Sequence, residues 1–100
     1  MWNALLIYEI LRYMIQNKNA KDTFDGIYRW WISKSRTEWD EEMVKDAVNF
    51  LLSRNWLVIR GANGTSKEIY GVNEKHFYEM KTFLFELENK MSQAVSFETT

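Results

Sequence analysis

The chain contains no cysteine and a single histidine, His76. Disulfides and thiolate metal sites are therefore excluded, and one imidazole leaves no room for a histidine-based metal site or a catalytic dyad. A surplus of one charge is also lacking: thirteen basic against fourteen acidic side chains give a formal net charge of −1 over 100 residues. That is not the strongly basic balance of a nucleic-acid binder driven by electrostatics. Long apolar runs are missing too, because Glu9 and Arg12 interrupt the N-terminal hydrophobic stretch well short of a membrane span. The same charges, with no basic leader and no small-residue cleavage site, argue against a signal peptide. The expected location is cytoplasmic, with no membrane partner. There is no Ser/His/Asp set and no acid pair, and Gly61-Ala62-Asn63-Gly64 lacks the lysine and following helix of a phosphate-binding loop. The expectation is a protein that is not an enzyme and has no cofactor and no metal.

What is present is apolar and aromatic. Hydrophobic residues make up 46% of the chain and aromatics 16%, enough to exclude a disordered chain and to build one core in a single domain. The most informative stretch runs from Asp40 to Val72. Met43, Val44, Ala47, Val48, Leu51 and Leu52 recur at helical spacing, with Asp40 as N-cap and Glu41 and Glu42 in the first turn, where the helix dipole favours negative charge. Asn55 stands where the helix must stop, and asparagine tolerates the left-handed conformation that helix ends use. Trp56–Arg60 and Lys67–Val72 are rich in β-branched and aromatic residues, and Gly-Ala-Asn-Gly-Thr-Ser between them is turn chemistry, so they predict an antiparallel hairpin. In its first strand Leu57 and Ile59 are expected on the packed face.

Around this stretch three further helices are predicted. The first spans Trp2–Asn17, with an apolar face of Leu6, Ile7, Ile10, Leu11, Met14 and Ile15 wide enough to be covered on more than one side, by the core or by a second subunit. The second spans Phe24–Ser33, capped by Asp22 or Thr23; Trp30 and Trp31 are neighbours about 100° apart, so one of them is expected outside the core. The segment between these helices, Lys18–Asp22, reads as a polar connection, and Lys34–Trp39 as the turn into the third helix. A fourth helix is capped by Asn73 and runs from Glu74 to about Met91. Its Phe77, Met80, Leu84, Leu87 and Met91 have the 3-4 spacing of a coiled-coil seam, which a helix lying lengthwise on its own core also shows. Tyr78, Phe83 and Phe85 fall off that seam. Residues 1–91 are thus one domain, and residues 92–100 read as a frayed tail.

The order helix, helix, helix, strand, loop, strand, long helix resembles the winged helix-turn-helix regulators of the MarR, PadR and ArsR kinds, a mainly α fold with a small antiparallel β-hairpin. Those families commonly run from a leucine through Gly-Leu-Ile and a basic wing to Tyr-x-Leu-Thr. Here Leu51, Asn55-Trp56-Leu57-Val58 and Tyr70-Gly71-Val72-Asn73 stand at the matching places. The resemblance makes the third helix the recognition helix, with Glu42, Met43, Lys45, Asp46 and Asn49 toward the groove. It implies DNA contacts by Lys34, Arg36 and Thr37 in the turn, Lys45 and Asn49 on the helix, and Arg60, Asn63 and Lys67 in the wing. It departs from the family in that Lys45 is the one basic groove-facing position, amid Glu41, Glu42 and Asp46.

Two functions follow as expectations. One is a small transcriptional regulator that binds double-stranded DNA as a homodimer, its dimer interface drawn from Leu6, Ile10, Phe77, Met80, Leu84, Leu87 and Met91 on the terminal helices. The other is a winged-helix module that binds a protein partner through the acidic third helix and exposed aromatics. The near-neutral charge favours the second and the cations of turn and wing favour the first.

Overall fold

The computed structural model describes residues 3–32, 39–62 and 68–99, of Ala62 and residues 93–99 the backbone alone. The element order is α1 (Ala4–Gln16), β1 (Lys21–Asp22), α2 (Phe24–Trp30), α3 (Glu41–Ser53), β2 (Leu57–Ala62), β3 (Glu68–Val72), one 3₁₀ turn (Glu74–His76) and α4 (Phe77–Thr99). The chain is mainly helical with a small three-stranded antiparallel sheet in the order β1-β3-β2.

Helices α1, α2 and α3 each start on a side-chain cap, and Asn73 caps the 3₁₀ turn that leads into α4. Asn3 Oδ1 accepts from Leu6 N at 3.0 Å, Thr23 Oγ1 from Gly26 N at 3.2 Å, and Asp40 Oδ1 from Met43 N at 2.8 Å. Such caps satisfy amides that have no partner inside the helix. The end of α3 is built with equal economy. Asn55 takes φ +63°, its N–H donates to Leu52 O at 3.0 Å, and Trp56 N–H donates to Leu51 O at 3.1 Å. Those two bonds and the left-handed residue make a Schellman stop, which turns the chain from helix into strand across residues 54–56.

The core is a single cluster. Leu6, Ile7, Ile10, Leu11 and Met14 of α1 have no exposed surface, and they meet Val44 and Leu51 of α3, Ile27 of α2, Leu57 of β2 and Met80 of α4. The wide apolar face of α1 is thus consumed by the chain's own helices. The 3-4 seam of α4 packs the same way: Met80 and Leu87 are buried, and Phe77, Leu84 and Met91 lie half-buried against the core. Tyr8 Oη donates to Glu88 Oε2 at 3.1 Å and latches α1 to α4; burial, then that carboxylate, pushes the Tyr8 phenol above its usual pKa. Of the two neighbouring tryptophans, Trp31 is buried and stacks on Tyr13 with ring centroids 4.9 Å apart, whereas Trp30 is 72% exposed.

Four expectations need correction. The connection after α1 is not merely polar coil: Lys21 and Asp22 pair with Gly71 and Tyr70 as a third strand on the outer edge of β3. Two residues carry no detectable strand periodicity, so only the pairing partner reveals them. The last helix does not fray after Met91 but continues to Thr99; the tail has neither glycine nor proline to stop it. Ile59 is 50% exposed, because the core contact of β2 ends near Leu57 and the hairpin then leaves the body of the domain. Finally Leu6, Ile10, Met80 and Leu87, expected at a dimer interface, are buried inside the single chain and present no surface to a second one.

Asn55 yields a direct test of the α3–β2 corner. Asn55→Ala should destabilise the domain by about 1–2 kcal/mol, the cost of a left-handed residue with a Cβ and no local hydrogen-bonding side chain. Asn55→Gly should leave stability within about 0.5 kcal/mol. Urea melts followed by tryptophan fluorescence measure both; equal losses would show that the positive φ is not what the asparagine supplies.

Candidate functional site

The solvent face of α3 follows from the burial of its other side. Val44, Ala47, Val48 and Leu51 lock one face into the core, so Glu41, Glu42, Lys45, Asp46 and Asn49 are exposed together. Lys45 and Asn49 are one turn apart and neither makes an ion pair or side-chain hydrogen bond among the described residues. The face presents one cation and one amide within a carboxylate-rich surface. Lys34, Arg36, Thr37, Asn63 and Lys67, the other expected DNA contacts, lie outside the described residues.

Arg60 is described, and its placement is specific. The β2–β3 register runs Leu57 opposite Val72, Val58 opposite Gly71 and Ile59 opposite Tyr70, then skips so that Gly61 faces Ile69. Arg60 is the extra residue of this β-bulge, and Gly61 beside it takes φ +153°, a region that side chains avoid. The bulge re-aims Arg60 back across Gly71, where Nη2 donates to the Val72 carbonyl at 3.0 Å. A Cβ on Gly71 would stand 2.7 Å from Arg60 Cγ, so the glycine is what lets the arginine lie flat on β3. The guanidinium therefore sits at the root of the hairpin, in a cleft of about 370 Å³ lined by Lys18, Asn19, Lys21, Arg60, Val72 and Glu74. The sequence pattern puts Arg60 at the base of the wing but gives Lys18 and Lys21 only as part of a polar connection. The signal that unites them is the β1–β3 pairing, which no local pattern announces.

A second cleft of about 460 Å³ opens between α2, the start of α3 and β3. Phe24 and Tyr28 stand parallel with centroids 6.4 Å apart on its wall, Tyr70 faces it, and Asp25, Glu41 and Glu68 bring three carboxylates. Arg29 is tied to Asp25 at 2.8 Å. Tyr70 Oη donates to Glu68 Oε1 at 3.2 Å; burial and then that carboxylate raise the phenol's pKa. A third feature is intramolecular: Arg54 lies over the rings of Phe50, Trp56 and Phe83, 5.3, 5.3 and 5.7 Å from their centroids. Those three rings join the end of α3 and the start of β2 to α4, with centroid separations of 5.2 to 6.3 Å. This is where Phe83, off the α4 seam, finds its partners.

His76 contacts Glu79 one turn along, a surface pairing with no further titratable partner among the described residues. Among the described residues no group of three His, Asp or Glu side chains is placed to hold a metal, and no helix is long and apolar enough to cross a membrane. No family model, no curated protein and no solved structure matches the chain.

The lie of Arg60 over Gly71 is open to a double-mutant cycle. Gly71→Ala should cost about 1–3 kcal/mol through the enforced overlap. In an Arg60→Ala background the same change should cost far less, giving a coupling of about 1 kcal/mol or more. Additive losses in chemical denaturation would place the arginine elsewhere.

Proposed function

We propose that the chain is a winged-helix domain that binds duplex DNA as a transcriptional regulator and performs no catalysis, working in the cytoplasm as a homodimer. The single observation that carries this reading is the exposed face of α3. Lys45 and Asn49 stand there without partners among the described residues, on a helix braced from behind by the core and fixed at its end to a hairpin. That is the disposition a groove-reading helix needs: rigid support, free polar tips and a flanking strand pair. Asn49 suits adenine, since its amide matches the N6/N7 pair, and Lys45 suits a phosphate or guanine.

The dimer in this reading forms on surface that the core leaves over. On α4, Tyr78 is 83% and Phe85 62% exposed, two turns apart on one outer face. Two copies meeting there by a two-fold axis would bury both rings reciprocally. Sedimentation equilibrium at micromolar concentration should give a dimer, and Tyr78→Ser with Phe85→Ser a monomer of unchanged helicity, because neither ring contributes to the core. A monomeric unmodified chain rejects this part of the proposal.

The second reading, docking of a protein partner, draws on the aromatic and acidic cleft lined by Phe24, Tyr28, Tyr70, Asp25, Glu41 and Glu68, which suits a lysine or arginine side chain. Gel-shift titration of duplex DNA at low salt separates the two. In the DNA reading Lys45→Ala lowers affinity for every sequence and reduces the salt slope by about one per subunit. Asn49→Ala alters sequence preference by about 1–3 kcal/mol at the contacted base. Glu42→Gln strengthens binding, since a charge repelled by phosphates is removed. If all three titrate like the unmodified chain, α3 does not enter a groove and the protein-partner reading takes its place.

A further inference from the structure

We infer that the cleft at the root of the hairpin is a binding site for a phosphate group, of the size of inorganic phosphate or a small phosphate monoester. The inference goes beyond DNA binding, because Arg60 is the one lining residue among the expected DNA contacts and none belongs to α3. Arg60 is the centre of the site. A guanidinium carries five N–H donors, and among the described residues Arg60 makes one hydrogen bond, to the Val72 carbonyl, and no ion pair. That one bond and the contact with Gly71 hold the planar group in place while leaving the other donors to the cleft. A fork of donors fixed in advance is the geometry that phosphate oxygens match bidentately.

Lys18 enters the same cleft from the α1–β1 connection and Lys21 from β1, both exposed and neither ion-paired among the described residues; Asn19 adds an amide between them in sequence. Glu74 is the one acidic lining residue and makes no ion pair with the three cations, so the lining carries a net charge of +2 in a chain whose total is −1. Unpaired cations gathered in one concavity repel each other, and a dianion removes that repulsion. The volume, about 370 Å³, is at the small end of ligand pockets, and the lining is mostly polar. Both features fit a phosphate with little organic substance attached. Such a ligand joins the α1–β1 connection to the bulge of β2.

Amide NMR spectra of the isotope-labelled full chain, titrated with inorganic phosphate at constant ionic strength against a chloride control, test the site. Saturable shifts are expected at Asn19, Lys21, Arg60, Gly71 and Val72, with α3 unmoved. The double substitution Lys18→Gln, Lys21→Gln removes only exposed side chains and should weaken binding by roughly tenfold or more, the factor that corresponds to losing one charge-assisted hydrogen bond. Arg60→Lys keeps the charge and loses the fork, and should weaken it comparably. Glycerol 3-phosphate and a duplex oligonucleotide identify the source: tighter saturation by the monoester assigns a phosphorylated small molecule, and equal affinity for both small probes assigns free phosphate. Non-saturating shifts no larger than those in chloride, or binding indifferent to all three substitutions, overturn the inference. So does a response at these amides to the duplex alone, which would make them part of a DNA contact. A duplex that shifts Lys45 and Asn49 while phosphate shifts nothing leaves DNA binding standing and this site refuted.

Discussion

The corner between α3 and β2 is the constraint on which the rest of the fold depends. Around Asn55 the chain passes from helix to strand within residues 54–56, and the left-handed φ makes that possible. The other half of the corner comes from the far end of the hairpin. Asn73 N–H donates to Trp56 O at 2.9 Å, Asn73 Nδ2 donates to Asn55 O at 2.8 Å, and Asn73 Oδ1 accepts from Lys75 N at 3.3 Å at the start of the next helical turn. One asparagine thereby closes the hairpin, braces the helix stop and begins the final helical segment. The carbonyls of a helix end need partners, and here those partners fix the angle between α3 and the sheet.

Packing then secures what hydrogen bonding sets. Trp56 follows the stop directly and is driven into the core, where it meets Phe50 edge-on and Phe83 of α4. Arg54 covers these rings with its guanidinium, the central carbon 5.3 Å from the Trp56 centroid, while the residue stays exposed. Five of the sixteen aromatics go into this joint and the Tyr13–Trp31 stack. Among the described residues the exposed aromatics, Trp30, Tyr78 and Phe85, are distributed over α2 and α4 rather than gathered at α3.

Charge is sorted as well. A chain with a net charge of −1 places three carboxylates against Arg29 in the cleft beside Phe24, Tyr28 and Tyr70, three cations against Glu74 in the cleft at the hairpin root, and a mixture on α3. The near-neutral total conceals surfaces of opposite sign, and recognition depends on the local field of each.

By itself the sequence determined most of the secondary structure, because helix periodicity, caps and turn residues act within a few positions. Asp40, Thr23, Asn55 and Asn73 announced where elements begin and end, and the 3-4 spacing of Met80, Leu84 and Leu87 announced an inward stripe. What that stripe packs against is a non-local question. An apolar face looks the same whether α1 or a second subunit covers it, and only the tertiary structure assigned Leu6, Ile10, Met80 and Leu87 to the chain's own core. The strand Lys21–Asp22 was invisible for the same reason: a two-residue strand owes its existence to Gly71 and Tyr70 on a distant neighbour. The bulge at Arg60 and the bare backbone of Gly71 then bring Lys18, Lys21 and Arg60, which lie up to 42 positions apart in the chain, to one cleft. Local rules specify which groups a chain owns, whereas their meeting depends on pairing across the sheet.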